Sequence, residues 1–416
     1  MKKNIVVLIL FVFFSVSNFA QTETEVAPPF HIKTVSFVQN GQNIVPIFRM
    51  GEHFRFQFDD LFASEQDYFY TITHCDYNWH ASSLSKTEYL QGIDNVRIQN
   101  YENSQNTLQG YSHYMLSIPN SQTQQLKLSG NYILKIFNSQ RELILARRFV
   151  LHESSVGVPL QIKRSRTVAD INFMHNLDFT IKPGNMMLQN PNENVRVVLM
   201  QNGVWNTAIT NIRPQYTIGT DLIYKYDSQT SFYGGNEFLY LETKDVRAGN
   251  NTVFKVTSGE LYNTHLYPNQ ARANEPYTYY PDVNGNFVSS VIGRSNPNLE
   301  ADYTWVYFTL SAPSYFGNDD IYVTGMFNNY ALTDEYKMDY DAKQGIYTKA
   351  LLLKQGFTNY QYTLGKRGKI NQKDAIDGNF YQTENDYYVL VYYKGTTDRY
   401  DRVIGVGRAN SVDITN

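Results

Sequence analysis

His74, Cys75 and His80 are the residues whose types most readily suggest metal chemistry, because imidazole and thiolate are the common ligands of zinc. They follow a stretch, Tyr68 to Thr73, that alternates like a strand, so His74 and Cys75 are expected on opposite faces. Cys75 is the only cysteine, and no second cysteine or spaced histidine pair completes four ligands. A buried thiol and surface or core imidazoles explain the three residues. Asp282, Asn284 and Asn286 are spaced like the opening of a calcium loop, yet Gly285 is misplaced and no later glutamate closes it. A hairpin turn is the simpler reading. The acid pairs Asp59-Asp60 and Asp319-Asp320 sit beside turn residues and are read as solvated. A glycosidase needs two carboxylates that need not be neighbours in the chain, so spacing identifies no such pair here. No nucleophile elbow surrounds a serine, no helical histidine pair flanks a glutamate, and no glycine loop is built to cradle phosphate. The chain is therefore read as a non-enzyme with no catalytic, cofactor-binding or metal-ligating residues, and its partner interface is left unassigned.

Strands must carry whatever the chain does. Its 34 Tyr, 25 Phe and 3 Trp stand against 18% charged residues. Aromatic side chains suit a pleated, half-buried surface, which implies a mostly β protein and excludes helical bundles and disorder. Phe54, Phe56 and Phe58 alternate with Arg55 and Gln57 in the period of a strand. Leu126 to Phe137 and Leu143 to Leu151 read as two more, around Asn138, Ser139 and Gln140. The expected fold is all-β, with three tandem immunoglobulin-like β-sandwich domains: 21–153, 154–258 and 300–407, with a connector over 259–299 and a polar tail over 408–416. Strands are expected in the middle unit at Asp178 to Lys182, Val195 to Gln201, Asp221 to Tyr226, Glu237 to Thr243 and Thr252 to Thr257. The turns between them, Pro183-Gly184, Asn190-Pro191-Asn192, Gly234-Gly235 and Gly249-Asn250, have the right chemistry.

Lys2 and Lys3 precede an apolar run from Ile5 to Phe14, and small residues end at Ala20, which is the pattern of a signal peptide over 1–20. The run is shorter than the roughly 20 residues of a membrane span. Its removal would take two lysines and no acid, moving the formal charge from −3 to −5. Nucleic acid is thereby excluded as a partner, since phosphate binding needs a basic face. A single thiol cannot form an internal disulfide, so stability in an oxidising envelope must come from packing. The mature chain is expected in the periplasm, without a membrane span of its own.

Gly325, Met326, Phe327, Asn328, Asn329 and Tyr330 resemble the G-x-F-N-x-W strand-turn of early-set immunoglobulin-like domains, some of which bind glycans. That supplies the alternative function, an envelope glycan-binding module centred on the third domain. Tyr330 replaces the tryptophan and no second stacking platform is evident, so the motif is read first as a sandwich corner.

Longer strings are more specific. Tyr70 to Trp79, Glu88-Tyr89-Leu90-Gln91-Gly92, and Tyr111, His113, Tyr114, Ile118, Pro119 and Asn120 open the set. Phe232 to Phe238, Asp282 to Val288 and Ala301-Asp302-Tyr303 continue it. Leu353-Lys354-Gln355-Gly356, Tyr360-Gln361-Tyr362, Gln382 to Asn385 and Arg399 to Arg402 complete it. Together they resemble an exported Bacteroidota family of formerly unknown function that includes the plug protein of the type IX secretion system translocon. The resemblance implies a periplasmic accessory protein, associated with the outer membrane through its partner, the translocon barrel, whose periplasmic opening it closes by protein–protein contact. It supplies no catalytic residues and no cofactor. The end of the chain, Val403 to Asn416, lacks the folded sorting domain expected of type IX cargo, which favours a component over a substrate.

Overall fold

The computed structural model describes residues 22–312 and 319–414, and the leader expected over 1–20 lies outside the described residues. As the composition implies, the described chain is all-β, and no helix in it exceeds four residues. The strand Phe54–Asp60 turns Phe54, Phe56 and Phe58 into a core, the face its alternation predicts. Its sheet runs Gln42–Asn43, Ile32–Gln39, Phe54–Asp60, Ser112–Ile118, Asn100–Asn103. The facing sheet runs Ile47–Arg49, Leu143–His152, Gly130–Phe137, Phe69–Cys75, Val96–Arg97. Aromatic rings fill the space between them, with Phe48 stacked on Phe54 at 3.9 Å between centroids. Each phenylalanine so buried contributes about 1.5–3 kcal/mol.

A second core lies between two sheets drawn from distant parts of the chain. One runs Leu160–Arg164, Met174–Ile181, Asp221–Tyr224, Tyr216–Ile218, and the other Ile209–Thr210, Val195–Gln201, Asp386–Tyr393, Arg402–Asn410. The pairing of Val195 with Tyr393 through Gln201 with Tyr387 crosses the linear division expected from sequence, because Asp386–Tyr393 and Arg402–Asn410 fall within the range assigned to the third domain. Burial explains the exchange. Both strands are apolar on both faces, and such a strand must be covered twice. Val195, Val197, Leu199, Tyr387, Val389, Val391 and Tyr393 face the second core. Val198, Met200, Leu390 and Tyr392 face the other way, onto Ile47, Cys75, Ile133, Ala146 and Val150 of the N-terminal sandwich.

The third core also departs from the expected boundaries. Leu239–Glu242 and Val253–Ser258, expected in the middle unit, belong here: the first pairs with Gly356–Lys366 and the second with Tyr262–Leu266. The stretch read as a connector supplies three further strands, Tyr262–Leu266 and Asn269–Gln270, both parallel to Tyr303–Ser311, and Phe287–Ser289, antiparallel to Gly356–Lys366. Its turn-rich composition hid them because each is short, and the partners Tyr303–Ser311 and Gly356–Lys366 lie far along the chain.

Candidate functional site

Each residue first considered for chemistry has a structural place. His74 is fully buried, its Nε2 lies 3.2 Å from the Ser129 carbonyl oxygen, and its ring packs edge-on to Tyr132 and Tyr400. Burial holds its pKa down at about 4, so the ring is neutral at physiological pH. Burial also pushes the Cys75 thiol up to about 12, which leaves it unreactive. His80 lies apart and meets Asp76 at 3.3 Å. Among the described residues, no three or more of His, Cys, Asp and Glu are placed to hold a metal ion.

Asp282 to Asn286 form a turn. Asp282 accepts hydrogen bonds from the backbone N–H of Asn284 and of Phe238, both at 2.6 Å, and Asn284 and Gly285 both have positive φ. Only glycine fits at Gly285, where a Cβ would lie 2.2 Å from the Tyr330 hydroxyl. Tyr330 is itself buried, so it offers no face to a sugar, and the Gly325 to Tyr330 motif builds a corner of the third sandwich.

The acid pair read as solvated is the clearest correction. Asp59 and Asp60 are both fully buried. Asp59 sits where the N-terminal and third sandwiches meet and accepts from His113 Nδ1 at 2.6 Å, the Tyr303 hydroxyl at 2.6 Å and Lys354 Nζ at 2.7 Å. Burial alone would raise its pKa, but the Lys354 charge and the His113 hydrogen bond hold it below the usual carboxylate range. Burial lowers the Lys354 pKa, and its ammonium lies over the Tyr111 ring at 4.1 Å. Asp320 is half-exposed beside Lys337.

A second cluster joins the middle and third sandwiches. Glu237 is 1% exposed. Its Oε1 accepts from the Tyr277 hydroxyl and from the Glu384 backbone N–H, while Oε2 has no hydrogen bond among the described residues. Burial, with Asp282 and Glu384 nearby, pushes its pKa up to about 7, and burial pushes Asp282 up to about 6. The N-terminal and middle sandwiches are joined in turn by a bidentate pair, Arg402 to Glu153 at 3.0 and 2.5 Å, and by the Tyr392 hydroxyl on Asn131 at 2.7 Å. None of these groups converges on an open cleft with a nucleophile. Their geometry fixes sandwiches against one another.

These features define an all-β protein of sandwiches locked together by packed sheet faces and buried polar clusters. Residues 32–153, the N-terminal sandwich, match the family model described as "Type 9 secretion system plug protein 1st domain". A crystal structure of a hypothetical protein from Parabacteroides merdae ATCC 43184 is 29% identical, covers 94% of this chain and 100% of its own, and superposes with a TM-score of 0.88. The BSP domain of a biofilm associated protein, 8% identical over 94% of this chain and 61% of its own, has a TM-score of 0.18 and carries no argument. No curated protein matches the sequence. Among the described residues, no helix is long and apolar enough to cross a membrane.

Proposed function

We propose that the chain works in the periplasm as a plug, closing the inner mouth of the outer-membrane type IX translocon barrel by protein–protein contact when no substrate occupies it. The match of residues 32–153 to the first domain of the plug family carries this reading. The physics of the molecule supports it. A body that blocks a wide pore must keep its parts from slipping past one another, and buried aromatic faces and charge clusters fasten the sandwiches here. The leader read over 1–20 supports the compartment. Affinity purification of the tagged endogenous protein from envelope extracts tests the pairing. The translocon barrel co-purifies if the reading holds, and its absence in every secretion state removes the basis for it.

A further inference from the structure

The three sandwiches meet around a cleft of about 570 Å³ that the junctions described above do not fill. Arg147 and Arg148 line it from the N-terminal sandwich, Val204 and Trp205 from the middle one, and Ala331 and Leu332 from the third. Its size lies within the roughly 300–1,000 Å³ of ligand sites, and it lies between domains, where such sites concentrate.

Arg147 sets its chemistry. The side chain is 7% exposed, and among the described residues no carboxylate lies within ion-pairing distance of it. Its Nη1 donates to the carbonyl oxygens of Val26 at 3.0 Å and Ala146 at 3.1 Å. The charge of Glu25 favours the Arg147 cation from beyond ion-pairing distance and offsets the cost of its burial only in part, so a carboxylate bound directly to the guanidinium would offset the rest. Arg148 beside it lies 4.3 Å over the Trp79 ring and donates through Nη2 to the Glu23 carbonyl oxygen at 2.7 Å, its Nε has no hydrogen bond among the described residues, and Glu25 favours its charge without an ion pair. Glu25 is the one acid in the lining, and its two oxygens are engaged, Oε1 by the Arg148 backbone N–H at 3.0 Å and Oε2 by Asn329 Nδ2 at 2.9 Å. The other polar side chains are largely spent: Asn206 and Asn328 each bond to the backbone of their own surroundings. Trp205, edge-on to Trp79 at 4.9 Å, adds an indole N–H with no hydrogen bond among the described residues. The unspent groups are therefore donors, next to the aliphatic Val204, Ala331 and Leu332.

We propose that this cleft is a binding site for an acidic, extended segment of a partner polypeptide, its carboxylate received by Arg147 and its aliphatic side chains by Val204, Ala331 and Leu332. A small anion would use the guanidinium and leave the aliphatic wall bare. The inference rests on the reading of the protein as one that acts by protein contact, but not on the identity of the translocon as the partner.

Calorimetric titration of the full mature chain tests it, with the capped peptides Asp-Leu-Asp-Leu-Asp and Asn-Leu-Asn-Leu-Asn and with inorganic phosphate as probes. The acidic peptide binds saturably, the amide peptide at least tenfold more weakly. Arg147→Gln weakens the acidic peptide at least tenfold. Ala331→Trp, which fills the cleft from a partly exposed position, does the same at an unchanged thermal midpoint, so lost binding is separable from misfolding. Equal affinity for both peptides, no binding, or indifference to Ala331→Trp overturns the proposal, as does phosphate binding as tightly as the acidic peptide. Peptide binding without recovery of the barrel from envelopes would overturn only the plug, and recovery of the barrel without peptide binding would overturn only the cleft.

Discussion

At the scale of single residues, the protein depends on charges placed where water cannot reach them. Lys354→Met would leave Asp59 ionised and buried with only His113 and Tyr303 to hold it. Breaking one partner of such a pair costs about 3–5 kcal/mol, which lowers the urea unfolding midpoint. Adding Asp59→Asn recovers much of the loss, and a double variant no more stable than the single one would show that the two are uncoupled. Glu237 carries a second prediction. Its folded pKa of about 7 lies above the value of about 4.3 in an unfolded chain. Its contribution to stability is therefore complete below the unfolded value and is lost as pH rises through 7. His175, buried between the Tyr387 hydroxyl and the Tyr381 carbonyl oxygen, has its pKa pushed down to about 4, so its contribution is lost as pH falls from about 6.5 toward 4. Glu237→Gln should flatten the fall in thermal midpoint between pH 5 and 8 and leave the acid limb unchanged. Neither cluster was legible from spacing. Asp59 is 54 residues from His113 and 295 from Lys354, and beside a turn it looks solvated. What could have found them is that His113, Tyr303 and Lys354 fall in strings that carry the family resemblance, as do Glu237, Asp282 and Glu384.

At the scale of elements, alternation made the strands legible and left their partners hidden. Phe54 to Phe58 announces one buried face, whereas Tyr387 to Tyr393 is apolar throughout and announces burial on two without saying against what. The returning strand Arg402–Asn410 shows how tight the answer is. Ser155 and Val156, in the stretch read as a linker, donate to the Ile404 carbonyl oxygen at 2.9 and 3.2 Å. Gly405 and Gly407 face that stretch, and a Cβ on Gly407 would lie 2.7 Å from the Val158 carbonyl oxygen. Gly407→Ala should therefore destabilise the chain by about 1–3 kcal/mol through overpacking. Thermal unfolding reads this directly, and an unchanged midpoint would show that the linker yields at no cost.

At the scale of the whole molecule, the same strands that close the middle core also face the N-terminal sandwich, and Asp59 reaches Lys354 and Tyr303 in the third. The sandwiches are thereby a single body rather than beads on a string, which is what obstruction of a wide channel requires. Composition made the β class readable, and the strings within residues 32–153 lie where the plug-family model matches. The crossing of strands between sandwiches was not readable, because hydrogen-bond partners hundreds of residues apart leave no local mark. The central claim is closure of a pore, and electrical conductance of the purified translocon barrel in a planar bilayer measures closure itself. Adding the mature chain to the periplasmic side should lower the conductance saturably, with a midpoint that matches its binding to the barrel. Undiminished conductance through barrels that have bound the chain would contradict the account.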